Sequence, residues 1–118
     1  MGRKITKAEF RKTQEEFLRL VEAAGMGDWT IRFAHEHLDG CSAMCEANPK
    51  TNSAKITIAT VLDDDQDQQY DPLANARHEF CHLFLTRLEE LAHDRYVGVE
   101  QINDCCERMA THFERLLR

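Results

Sequence analysis

Asp71-Pro72-Leu73-Ala74-Asn75-Ala76-Arg77-His78-Glu79-Phe80-Cys81-His82-Leu83-Phe84-Leu85 is the stretch on which the reading of this chain turns. Asp71 before Pro72 marks a helix start. An Asp side chain caps free backbone N–H groups, and proline fits the first helical position, where its missing N–H costs nothing. Leu73, Phe80, Phe84, Leu88 and Leu91 then recur at helical spacing. The pattern predicts a helix from Asp71 to about His93.

Inside that helix stands His78-Glu79-Phe80-Cys81-His82. Residues four apart stack on one helix face. Two imidazoles so placed can each direct a nitrogen at one zinc ion, about 2.0–2.1 Å away. Glu79 lies roughly 100° round the helix from His78, beside such an ion rather than on it. There it can take a proton from a water that zinc has acidified. The pattern is short, so its context matters. It falls within a capped helix, between apolar neighbours, and Leu83-Phe84-Leu85 is expected to dock the helix on the core. The competing reading is two histidines with an incidental Glu.

A zinc site of this kind takes a third protein ligand and leaves one position open. Glu100-Gln101-Ile102-Asn103-Asp104 offers Glu100 as that ligand, with Asp104 one turn on to orient a ligand histidine. Glu107 and then His93 are the alternatives. Glu100, Asp104, Glu107, Thr111 and Glu114 also form one polar stripe, which on an ordinary helix is the solvated side.

Upstream, Phe10, Phe17, Leu18, Val21 and Ala24 mark a first helix from about Thr6 to Ala24. Thr6 and Glu9 have capping-box spacing, and Gly25-Met26-Gly27 ends the helix. Trp29 to Phe33 alternates apolar with polar, as a strand does. Cys41 to Ala47 is a weaker strand, and Lys55 to Val61 is β-branched and the strongest. Turns at Leu38-Asp39-Gly40 and Asn48 to Asn52 join them, so a three-stranded antiparallel meander is expected, with Lys55 to Val61 at its exposed edge. Asp63-Asp64-Asp65-Gln66-Asp67 reads as a solvated charged loop; it lacks the glycine and closing Glu of an EF-hand. Val99, Ile102, Cys106, Met109, Phe113 and Leu117 mark the expected buried face of a last helix.

The 118 residues fit one domain, 1–118. A hydrophobic content of 42% and charged content of 31% are those of a soluble globular chain. A net charge of −6 with scattered basic residues argues against nucleic acid as partner. The short basic run from Arg3 to Lys12 reads as a solvated helix face. No apolar run suits a membrane span or a secretory leader, so a cytoplasmic location is expected. Five cysteines, an odd count, suit free thiols in a reducing compartment. Cys41 and Cys45 could form half a structural zinc site but lack a second half.

His78-Glu79-x-x-His82 followed by Glu100-x-x-x-Asp104 resembles the gluzincin pattern of thermolysin-like metallopeptidases. The resemblance implies Glu79 as general base, Glu100 as third ligand and Asp104 as its supporting carboxylate. The chain is also similar in plan, over about residues 29 to 110, to small zincin-like proteins encoded by bacteriophages and prophages. It lacks the second domain that forms much of the cleft in thermolysin-like enzymes, and no residue stands out as an oxyanion stabiliser; Tyr96, His93 and Arg95 lie in the right stretch but read as surface residues. The expectation is an α+β, zincin-like minimal core acting as a zinc-dependent hydrolase of protein or peptide substrates. The alternatives are a non-catalytic zinc-stabilised phage assembly or regulatory module, and a plain helical interaction protein. The substrate, the native metal and the oligomeric state stay open.

Overall fold

The computed structural model describes residues 2–63 and 70–117. Among the described residues the fold is mixed α+β, with three helices and two small sheets. In chain order the elements are β1 (Arg3–Lys4), α1 (Lys7–Ala23), β2 (Thr30–Glu36), β3 (Ala43–Asn48), β4 (Ser53–Ala59), β5 (Val61–Leu62), α2 (Pro72–His93) and α3 (Val99–Leu116). No helix of the described residues is long and apolar enough to cross a membrane. The charged run Asp63 to Asp67 lies outside the described residues apart from Asp63.

Both expected caps form. Thr6 accepts from the Glu9 N–H at 3.1 Å, and the Glu9 carboxylate accepts from the Thr6 N–H at 3.0 Å, which satisfies two otherwise free donors. Arg3 adds a salt bridge to Glu9 at 3.0 Å. At the other end of α1, Gly25 takes a left-handed conformation at φ 73° and stops the helix. A side chain there would also run into the Arg115 guanidinium. Asp71 caps α2, accepting from the Leu73 N–H at 3.3 Å.

The sheet departs from expectation. Its order is β2-β4-β3, with β2 parallel and β3 antiparallel to β4. The segment from 37 to 42 carries the chain from the end of β2, past the end of β4, to the far edge, and the β3–β4 hairpin then places β4 in the middle. The strongest strand is therefore central and not an edge. Its apolar, β-branched residues explain the position: Ala54, Ile56, Thr57, Ile58 and Ala59 are all buried, which only a strand flanked on both sides achieves. Val61-Leu62 breaks from β4 to pair antiparallel with Arg3–Lys4, closing the N-terminus onto the sheet region. A side chain on Gly2 would sit 1.6 Å from the Leu62 carbonyl oxygen, so only glycine fits there.

The core lies between the sheet and the α1–α2 pair. Phe17, fully buried, meets Phe33 and Phe80 edge-on at 5.6 and 6.0 Å between ring centroids. Ile56, Ile58, Leu62 and Leu83 complete it. Two polar links fix α1 against α2. Thr13 donates to the Pro72 carbonyl at 3.2 Å, and Glu16 accepts from Arg77 at 3.0 Å and from Arg19 at 2.6 Å.

The last helix is rotated from its expected orientation. Cys105 is its buried residue, with Met109, His112 and Leu116 half-buried beside it. Val99, Phe113 and Leu117 remain 74%, 53% and 72% exposed. The apolar spacing was read as a burial face, but the helix meets the body along an adjacent stripe, and Arg87 and Arg108 line the cavities left between α2 and α3.

Phe17→Ala is predicted to destabilise the protein by about 3–5 kcal/mol, read as a lower urea midpoint at unchanged slope. The Glu16 carboxyl is held below its ordinary 4.5 by the Arg19 hydrogen bond and, secondly, by Arg77. The stability it contributes is thus fully present above 4.5 and is lost as pH falls through the lower folded value. Glu16→Gln is predicted to lower the urea midpoint near pH 7 and to flatten its decline towards about pH 3.

Candidate metal centre

The orientation of α2 about its own axis determines where each motif residue points. Ala76, Phe80 and Leu83 face the core and are buried. The neighbouring ridge faces β3: Asn75 accepts from Ser42 at 3.2 Å, and Glu90 lies 3.9 Å from Lys50. Small half-buried residues on β3, Ala43, Cys45 and Ala47, let the helix approach. Glu79 stands on this ridge between Asn75 and Glu90, and is only 4% exposed. His78 and His82 lie just outside the ridge, on solvent.

The two histidines converge. Their Nε2 atoms are 3.2 Å apart, with the rings nearly perpendicular at 82°. Two nitrogens bound to one zinc at about 2.0–2.1 Å in tetrahedral geometry must lie about 3.3 Å apart. The observed separation meets that requirement. Without an ion, the same contact is a hydrogen bond in which one imidazole N–H donates to the other ring's lone pair.

Burial pushes the Glu79 carboxyl above its usual range, and the two imidazoles pull it partly back. A carboxyl so placed is a better proton acceptor than a solvated one, which suits a general base. On the sheet, Glu79 is close enough to Cys45 to act on its thiol. Burial, and secondly the charge of Glu79, push that thiol up to about 12.

The structure does not bring Glu100 to the pair. Glu100 lies in the first turn of α3, and α3 packs on the side of α2 that carries Phe84, Arg87 and Leu91. Those residues lie about 180–240° round the helix from His78. Asp104 lines a cavity on that same side, with Arg87 and Leu91. Among the described residues no group of three His, Cys, Asp or Glu side chains is placed to hold one metal ion. Glu107 and His93, the alternatives, thus do not join the pair either. Cys41 and Cys45 are free thiols in this structure.

Comparisons with family models, with curated proteins and with solved structures find no match. The resemblance to gluzincins therefore rests on the motif residues of the sequence. What the sequence reading missed is the role of β3. It alternates weakly and was the less prominent strand, yet it is the one that lies along the motif helix.

Alkylation by iodoacetamide at about pH 8 provides a direct check on this geometry, because the thiolate is the reactive form. Cys81 and Cys106, both exposed, are predicted to label fast, and Cys45 and Cys105 slowly, as read by peptide mass spectrometry. Fast labelling of Cys45 would contradict its placement against Glu79.

Proposed function

We propose that this chain is a small zinc-dependent hydrolase, a gluzincin-like peptidase, with His78 and His82 as metal ligands and Glu79 as general base. The observation that carries the reading is the 3.2 Å approach of the two Nε2 atoms beside a buried Glu. A bound zinc ion would supply Lewis acidity, bringing a water's pKa towards about 7. The chain's own part is to hold and move the proton. Glu79, shielded by β3, takes a proton from the attacking water and returns it to the departing amine. The substrate's backbone has a natural support in β3, which is paired with β4 on one side and with no described strand on the other. An extended peptide added to that edge would use main-chain hydrogen bonds for affinity and would run beside the motif helix.

A second reading is favoured by the fact that only two donors converge among the described residues. In it, zinc stabilises a binding module, such as a phage assembly or regulatory adaptor, without turnover. One experiment separates the two. Elemental analysis and zinc titration are run on the protein and on His78→Ala, His82→Ala, Glu79→Gln and Glu100→Ala, followed by mass spectrometry of a peptide mixture.

The peptidase reading predicts near-stoichiometric zinc, lost in both histidine variants and retained in Glu79→Gln and Glu100→Ala. It also predicts cleavage that falls by about 10²–10⁴-fold in Glu79→Gln. Zinc at about 100 times its Kd should stabilise the protein by ~2.7 kcal/mol, visible in thermal unfolding. Zinc uptake with no cleavage by the unmodified protein would favour the binding module. A protein that takes up no zinc would sink both.

A further inference from the structure

On the side of α2 away from the histidines, a cavity of about 460 Å³ opens beneath α3. Its walls include Trp29, Leu83, Phe84 and Met109, and both Arg87 and Arg108 reach it. Small-molecule sites run from about 300 to 1,000 Å³ and combine apolar walls with a few placed polar groups. A smaller cavity of about 280 Å³ shares the same two arginines, so both side chains line the two spaces. Both are near enough to Cys105 to act on its thiol.

Neither arginine has a salt-bridge partner among the described residues. Arg87 donates one N–H to Asn52 and lies over the Trp29 ring, 5.9 Å from its centroid. Arg108 makes no hydrogen bond to another described residue. Asp28 lines the same cavity, and Glu90 and Asp104 line the smaller one, but none of the three forms a salt bridge with either arginine. Asp28 accepts from the Asn52 amide at 2.9 Å, Glu90 lies near Lys50, and Asp104 lines only the smaller cavity. Two like charges sharing a partly desolvated space repel each other, and an anion between them removes that cost. The guanidinium fork matches a carboxylate, while the surrounding walls favour an apolar body.

We infer that this cavity binds a small organic carboxylate with an apolar, ring-sized body, its charge held between Arg87 and Arg108 and its ring against Trp29 and Phe84. Arg87 lies about 180° round α2 from His78, so the site is separate from the metal centre and does not depend on it. Trp29 is the only tryptophan in the chain, so its fluorescence reports occupancy directly.

The test titrates the full chain with 4-phenylbutyrate and, as a neutral control, with 4-phenylbutyramide. The carboxylate is expected to change Trp29 emission saturably and to bind at least about tenfold more tightly than the amide. Arg108→Gln, at an exposed helix position, is expected to weaken the carboxylate by about tenfold or more and to leave the amide unchanged. Arg87→Lys, which keeps the charge and loses the fork, should weaken it as well, and this variant decides if Arg108→Gln does not fold by circular dichroism. Equal binding of carboxylate and amide, no saturation by about 10 mM, or full carboxylate affinity in the folded variants would overturn the assignment.

Discussion

The edge-on contact between Phe17 and Phe80, at 6.0 Å, fixes the roll of α2 about its axis. Everything described above depends on that roll. A helix turns about 100° per residue, so one buried ring assigns a direction to every neighbour. With Phe80 inward, Leu83 must follow it into the core, Glu79 must meet β3, and His78 and His82 must face outward. Phe84, Arg87 and Leu91 are left for α3. A single small core therefore organises three dissimilar surfaces on one helix: a sheet contact, a pair of converging imidazoles, and a cationic wall.

How legible this was from the sequence varied with the range of the interaction involved. The capping box at Thr6 and Glu9 and the Asp71-Pro72 start were readable because caps are local chemistry, complete within four residues. The convergence of His78 and His82 was readable for the same reason, since helical geometry alone brings residues four apart together. The sheet order was not. Alternation at period two says which residues share a face, and says nothing about which strand is the neighbour. That the strand Ser53–Ala59 lies in the centre, with both its faces buried along Ile56 to Ala59, is a tertiary fact, and Val61 leaves it to pair with Lys4.

The last helix shows the same limit from another side. Its apolar spacing correctly announced a helix, yet the stripe Val99, Phe113 and Leu117 stays largely open, because the helix packs through the neighbouring stripe of Cys105, Met109, His112 and Leu116. Glu100 was assigned to the metal by the Glu-x-x-x-Asp pattern on the helix that follows the motif. Packing of α3 on the opposite side of α2 separates them in space. Sequence order could rank Glu100, Glu107 and His93 as third ligands but could not place any of them on the right side of the motif helix.

The pairing of Arg3–Lys4 with Val61–Leu62 has one more consequence. It joins the two ends of a segment about sixty residues long, so that α1 and the main sheet lie inside a closed circuit of chain. The α2–α3 hairpin lies outside that circuit, and α3 is held to the rest by buried Cys105, by the Phe113 ring against Phe84, by His112 bonded to the Ala24 carbonyl and by Leu116 against the core. Partial opening then has a preferred place. Loss of α3 would break those contacts and leave the β1–β5 pairing untouched, so hydrogen exchange is expected to be faster in α3 than in the central strand. The cavity beneath it thus lies where the hairpin meets the circuit, and a molecule bound there need not disturb the imidazole pair.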